Sequence, residues 1–550
     1  MRNIICILLI GLFSSCNSLL DVEPETMVSF DNFYKSEQDL EVSLYQLQSF
    51  IHDRLLTHNV QEEAGMIMEL NSNRDYLWEA SSMLGTSGVG SITTDWTQHY
   101  FVVYQSNAVL DNIYKAEKRV TPERINYYKA QAYFGRAIGY FFLARRWGEV
   151  PVTRNSSSSE AYGKKPYLEV LDSIIVDATR AYDGLPVYGQ IVDRQGAVIQ
   201  SKQFGSKGAA CALLAHVYAW KGSMIDLMEL NGDSRACYDK AIEYASYLIN
   251  GDVGNYQLTS GAEELCQLFS DVNKNNPESI WEFTLDMSAK YILTPYLVGR
   301  SLIGYPVDPQ VSEGSQQYMS SKIALSTVKQ LYDTLDTRLS SYFYDYEKYS
   351  LDVIKVKEEW TAGMTDPVAI KDTIAVRVKY VRDSITKITG GYVYPYKWRE
   401  AILETNPNIP WITKLAAVST NYSYWRLSDI YLLRAECYAK IGGNGLAEAD
   451  LNQIRSRRNV KSYPQSKGDE KGLKYAIFHE RERELLMEGH RFYDVARNGL
   501  EYINTYLPSA FQTLTLADVK NGGIFYAIID KAFEQNNLLV QNTYWSQFKN

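Results

Sequence analysis

His479, Glu480 and His490 are the residues whose types first suggest chemistry, because a His-Glu pair opens the zinc-binding helix of many metalloproteases. That chemistry needs a second histidine four residues after the first, so that both imidazoles leave one helix face. Position 483 is Arg483, so the spacing builds no metal site. A glycoside hydrolase would need two carboxylates held about 5–10 Å apart across a cleft. The acidic residues instead concentrate in charged helical stretches, and no Ser-His pair stands out. The expectation is a protein that is not an enzyme, with no catalytic residue, no metal and no cofactor. What remains is binding chemistry. Asn73, Arg74, Asp75, Tyr76 and Trp78 gather an amide, ions and aromatic rings outside any helical pattern. Tyr291, Tyr296 and Tyr305 sit in a Gly- and Pro-punctuated stretch. Flat rings beside polar groups suit a sugar, whose faces are apolar and whose edges carry hydroxyls.

Two stretches between residues 424 and 499 must frame such loops. In the first, Leu427, Ile430, Arg434, Cys437 and Ile441 recur at three- and four-residue steps, with Tyr431 and Tyr438 beside them. Gly442 stands where a helix should stop. Tyr438, Gly442 and Ala447 follow the small-residue spacing of a tetratricopeptide (TPR) helix pair. The second stretch packs Glu480, Arg481, Glu482, Arg483, Glu484, Glu488, Arg491, Asp494 and Arg497 among apolar residues, which reads as a solvated helix laced with ion pairs. Tyr218 and Gly222 repeat the TPR spacing, but Ala241 comes late, as if residues were inserted between the two helices. His216 reads as a packed histidine.

Composition narrows the class. The chain has 550 residues, is 45% hydrophobic and carries a net charge of −9, so a large core is affordable and a nucleic-acid footprint is absent. Tyrosine is abundant, 43 against 18 phenylalanines. Cys211, Cys237, Cys266 and Cys437 form no CxxC pair and read as buried thiols, with their disulfide state open. Residues 1–15 read as a signal peptide, with Arg2, an apolar run and Ser14-Ser15 before Cys16. Cys16 would then be the lipid-bearing first residue of a bacterial lipoprotein.

Along the chain, Phe30 to Leu56 reads as a helix capped by Asp31, with Phe33, Leu40, Leu44, Leu47 and Ile51 as its stripe. Residues 59–94 are irregular, an insert of the kind that more often serves function than connection. Trp96, Tyr100, Val103, Asn107, Leu110 and Tyr114 share the face of the next helix, which makes Trp96 framework. Thr121-Pro122 opens another helix that stops at Gly148, and Tyr167 to Leu185 forms one more. Residues 251–420 are loop-rich, with short strands expected at 278 and 379. The expected division is 1–15 leader, 16–250 N-terminal region with the 59–94 insert, 251–420 variable subdomain and 421–550 C-terminal region.

Trp425-Arg426-Leu427-Ser428-Asp429, Leu433-Arg434-Ala435-Glu436, Glu480-Arg481, Glu484-Leu485, Glu488-Gly489-His490-Arg491 and Asp494 to Arg497 resemble, in order and spacing, the C-terminal signature of the SusD/RagB family. The Cys16 leader, the stretch ending RRWGEVPV and the Asn537, Leu539, Gln541, Asn542 and Tyr544 pattern resemble it too. The resemblance implies a mainly α fold: a TPR-like superhelix of about four helix pairs packed with a loop-rich variable subdomain. It implies a glycan-binding lipoprotein of the bacterial outer membrane, facing outward and held by lipid on Cys16. It further implies delivery of the oligosaccharide to a SusC-like TonB-dependent barrel, with the TPR face toward that partner. In the family's starch-binding member the region around Asn73–Trp78 carries sugar contacts. Peptide capture, as in RagB-like members, is the alternative; a glycoside hydrolase or a pure TPR scaffold explains the long inserts less well.

Overall fold

The computed structural model describes residues 33–56, 95–157, 160–271, 275–285, 323–343, 395–406, 409–507 and 509–546, with short pieces at 350–354, 375–379 and 392–393. Helix α1 (Glu37–Phe50) starts later than its apolar stripe suggests, because Ser36 and Asp39 form a reciprocal capping box there. The Ser36 hydroxyl accepts from the Asp39 amide at 3.2 Å and the Asp39 carboxylate accepts from the Ser36 amide at 2.9 Å. Asp31, the expected cap, lies outside the described residues. The stripe itself holds: Leu40, Leu44, Leu47 and Ile51 are buried.

A continuous stack follows. Helices α2 (Thr97–Asn112), α3 (Pro122–Trp147), α4 (Tyr167–Gly184), α5 (Lys207–Met228) and α6 (Ser234–Asn250) each pack on the next. Helix α6 then meets α8 (Leu427–Lys440), which pairs with α9 (Asn444–Arg455). Helix α7 (Ala262–Phe269) lies between these two runs in the chain. This is the expected TPR-like, mainly helical architecture. Small residues set its closest approaches: a Cβ added at Gly222 would lie 2.9 Å from the Tyr238 ring. The late Ala241 does not mark an inserted loop. Helix α5 runs on to Met228 and Asp233 caps α6, so most of the extra residues are helical. Tyr114 leaves the expected buried face and is 62% exposed, because the chain tightens into a 3-10 turn after Asn112 and loses the 3.6-residue register.

The expected strand at 278 is β1 (Ser279–Leu285). It pairs antiparallel with β3 (Ile409–Arg426), which also pairs antiparallel with β2 (Glu400–Asn406). Tyr424, Trp425 and Arg426 therefore end a strand, and α8 begins at Leu427. Near the second expected position, Ala375–Lys379 pairs with Ser350–Ile354, but residues 380–388 lie outside the described residues.

The charged stretch overturns its sequence reading. It forms α10 (Leu473–Glu484) and α11 (Arg491–Asn498), and all nine charged residues named above are buried. Most of their partners come from other elements. Arg426 donates to Glu488 at 2.7 Å, to Glu278 at 2.6 Å and to Glu484 at 2.9 Å. Arg458 grips Glu484 with two nitrogens at 2.9 and 2.7 Å. Arg455 bridges Glu480 and Asp469, and Arg497 bridges Glu436 and Asp494. Desolvation pushes the Glu484 carboxyl up, but Arg458 and Arg426 outweigh it and hold it well below its usual range. A charge survives burial when matched and hydrogen-bonded, and this lattice does both. His216 is the expected packed histidine: its Nε2 lies 2.7 Å from Asp429, and its ring stacks on Trp425 with centroids 5.5 Å apart. The four cysteines are free and buried. Among the described residues no helix is long and apolar enough to cross a membrane.

Candidate functional site

The insert 59–94 lies outside the described residues, and Asn73, Arg74, Asp75, Tyr76 and Trp78 with it. Tyr291, Tyr296, Tyr305 and Cys16 are outside as well. Arg54 and Gln98, which flank it in the chain, are described and are in contact. Arg54 donates from Nη1 to the Gln98 side-chain oxygen. The same guanidinium lies over Phe101 at 5.4 Å and Phe50 at 6.0 Å. Arg54 and Gln98, far apart in the chain, thus meet at one place.

That place borders a cleft of about 610 Å³. One wall is the start of α2, with Trp96, Gln98, Tyr100 and Phe101; the opposite wall is Tyr162 and the segment Lys531–Leu539, which includes part of α13 (Asp530–Gln535). Asp95 fixes the first turn by accepting from the Thr97 amide at 2.9 Å. Trp96 is 6% exposed and meets Tyr100 and Trp147 edge-on, with centroids 5.7 and 6.1 Å apart, so it is framework as its spacing implies and also lines the cleft. The Tyr100 hydroxyl donates to the Pro151 carbonyl at 2.7 Å, and burial pushes this phenol well above its ordinary range. It therefore acts as a neutral donor. Phe101 is 39% exposed and lines the cleft. Across the cleft, Asn536 donates to the Tyr162 carbonyl at 2.9 Å and tethers the C-terminal segment to the 160–162 loop.

The cleft thus offers ring faces, side-chain amides and hydroxyls beside the charged Asp95, Glu160 and Lys531, groups that bind polyhydroxylated ligands. Gln98, Phe101, Tyr162 and Gln535 escaped the sequence reading because they come from segments hundreds of residues apart. The run Gln535-Asn536-Asn537 was the one local signal, amides clustered near the end of the chain. Among the described residues no group of three or more His, Cys, Asp or Glu side chains is placed to hold a metal ion.

Residues 229–545 match the model of the SusD family, and residues 19–219 match a model described as starch-binding, associating with outer membrane. SusD-like protein P25 of Formosa agariphila is 24% identical over 525 residues, spanning 90% of this chain and 89% of its own. The starch-binding protein SusD of Bacteroides thetaiotaomicron is 24% identical over 402 residues, spanning 69% of this chain and 65% of its own. A crystal structure of a SusD homologue from B. thetaiotaomicron superposes with a TM-score of 0.68 at 18% identity, covering 93% of this chain and 99% of that one. Bacteroides fragilis NanU does so with a TM-score of 0.64 at 19% identity, covering 96% and 100%.

Proposed function

This chain belongs to the SusD family, and from that membership we propose that it captures an oligosaccharide at the outer membrane and leaves it intact. The observation that carries the reading is the cleft beside Trp96, lined by rings and amides of the start of α2, Tyr162 and the C-terminal segment. Asn73, Arg74, Asp75, Tyr76 and Trp78 of the insert, with Tyr291, Tyr296 and Tyr305, are assigned to the ligand that fills it. Capture needs no acid, base or nucleophile. Affinity is expected in roughly the micromolar to millimolar range, because a wet site must desolvate many hydroxyls. Little salt dependence is expected, since ring stacking and neutral hydrogen bonds do not rely on net charge.

A glycan array with the mature protein identifies the ligand, and calorimetry with it reads the site. Trp78→Ala, Asp75→Ala and Gln98→Ala should each weaken binding by about 1–3 kcal/mol without changing helical content. Unaltered affinity in all three would sink this site, and binding of peptides in preference to glycans would replace the ligand class. Chromatography of the ligand after long incubation should return it whole; hydrolysis that persists through repurification would overturn the binding reading.

Delivery to a SusC-like TonB-dependent barrel, and attachment by lipid on Cys16, complete the proposal. The helical stack offers a surface for such a partner. Half-exposed Tyr182, Tyr218, Tyr244 and Tyr247 run in ring contact across α4, α5 and α6, with Tyr218 and Tyr244 stacked at 5.8 Å. Tyrosine at a surface supplies contact area at low entropic cost and is enriched in interfaces. Two or more acyl chains hold a protein on a membrane where one is marginal. Mild detergent extraction of outer membranes should recover the wild-type chain with the barrel. Cys16→Ala should move the chain to the soluble fraction in cells lacking the barrel. Retention of that variant in the membrane would refute the anchor, and repeated recovery of wild-type chain alone from cells making the barrel would refute the partner.

A further inference from the structure

A second cavity, of about 440 Å³, opens between the short helix Leu325–Leu331, the linker at 467–471, α10 and the end of α12 (Leu500–Tyr506). It shares no residue with the cleft beside Trp96. We propose that it is a separate binding site for a single sugar ring carrying a carboxylate, a uronate.

Its wall is aromatic. The Tyr475 and His479 rings lie 4.1 Å apart, and the His479 and Tyr506 rings meet edge-on at 5.3 Å. These rings are held in place by a polar chain: His479 Nδ1 lies 2.7 Å from Glu482, and His479 Nε2 lies 3.3 Å from the Tyr506 hydroxyl. Glu482 in turn accepts from Arg491 at 2.7 Å, so its charge is spent before it reaches the cavity. The linker presses on the same wall. Gly468 has a φ of +88°, and a Cβ there would come 2.9 Å from the Tyr475 ring, so the close approach requires glycine.

Its charge is cationic, although the whole chain is acidic. Lys467 and Lys471 line it against Glu470, while Glu482 and Arg483 are matched by Arg491 and Glu480. Lys471 lies over the Tyr475 ring at 4.7 Å and within 3.3 Å of its hydroxyl, and both lysines are exposed and able to swing to a ligand. Arg483 supplies the floor. Its terminal nitrogens donate to the Leu331 carbonyl and to Glu480, while its buried Nε has no hydrogen-bond partner among the described residues. A bare anion would use the cations and leave the rings idle. A neutral sugar would use the rings and leave the cations idle. A sugar acid of one ring uses both and fits the volume.

The site stands whether or not the cleft beside Trp96 holds a glycan. Titrating the whole mature protein with glucuronate and galacturonate in a calorimeter, or observing saturation transfer to them by NMR, should detect binding. Glucose, acetate, inorganic phosphate and AMP serve as comparisons, separating the ring, the anion and a stacked base with phosphate. At least one uronate should bind tighter than all four, by roughly tenfold, because each loses half of the recognition. The exposed pair Lys467→Glu/Lys471→Glu and the single Tyr475→Ala should each weaken uronate binding by roughly tenfold or more. Lys240→Glu, a half-exposed lysine on α6, controls for net charge and should change nothing. No uronate signal, affinity unchanged in both cavity variants, or equal or tighter binding of phosphate or AMP would each overturn the proposal.

Discussion

Replacing Arg426 with methionine should cost the fold about 3–5 kcal/mol, the range found when one partner of a buried ion pair is removed. Arg426 is fully buried and its guanidinium serves Glu278, Glu484 and Glu488 together. Methionine fills much of the volume, so the loss is electrostatic: three buried carboxylates lose a shared cation. Arg458 and Arg338 still reach Glu484, but among the described residues Glu278 would keep as direct partners only the Thr259 amide and the Thr259 and Ser428 hydroxyls. Lysine is no substitute, since one ammonium cannot present the guanidinium fork to three acceptors. A domain is stable by about 5–15 kcal/mol, so the variant should melt far below wild type or fail to accumulate. Urea unfolding followed by circular dichroism measures it. The surface pair Lys240–Glu243 is the contrast, and Lys240→Met should cost less than about 1 kcal/mol. Equal costs for the two variants would mean that the buried lattice does not hold the C-terminal region together.

Acidification from pH 7 to pH 4 should destabilise the protein by at least about 2–3 kcal/mol from His490 alone. Burial pushes this imidazole down to about 4, a loss that Asp429 and Asp494 restore in part. It faces Asp429 of α8, Asp494 of α11, Arg481 of α10 and His216 of α5, and lies 3.1 Å from the Tyr424 carbonyl of β3. The sign follows from the unfolded chain, where a histidine titrates near about 6.5. Between that value and 4 the unfolded state binds a proton that the folded state refuses, so the stabilisation is complete above about 6.5 and disappears as pH falls. Glu482 adds a second step. Burial raises its carboxyl, but Arg491 and His479 outweigh burial and bring it to about 2, so its contribution is lost between about 4.5 and 2. Melting temperatures at half-unit steps should fall in both windows, and His490→Gln should shrink the upper one, leaving the share of His216, whose imidazole burial also pushes down. A wild-type melting temperature that is constant from pH 7 to 4.5 would show that His490 is not a neutral buried histidine.

Helices were the most legible part of the chain. Leu40, Leu44 and Leu47 mark α1 by spacing alone, and Thr121-Pro122 and Gly148 bracket α3 where the structure has them. Such signals are local: one face, one cap, one glycine with positive φ. The small-residue spacing of Gly222 and Tyr438–Ala447 carried further, because close helix approach demands small side chains at fixed offsets. The order of the signature residues then identified the family. What spacing could not supply was the environment of each charge. Glu480 to Arg497 has the composition of a solvated helix, and nothing within the stretch says that Arg426, Arg455, Arg458 and Arg338 arrive from elsewhere to meet it. The cleft beside Trp96 was hidden for the same reason, since Gln98, Tyr162 and Gln535 become neighbours when the C-terminal segment docks on α2. The sequence by itself determined the helices and the TPR-like spacing, which rest on periodicity and short-range geometry, and its signature residues carried the resemblance that gave the family. Tertiary structure alone decided which charges are buried and which side chains share a cavity, because desolvation and pairing depend on chain segments that meet only after folding.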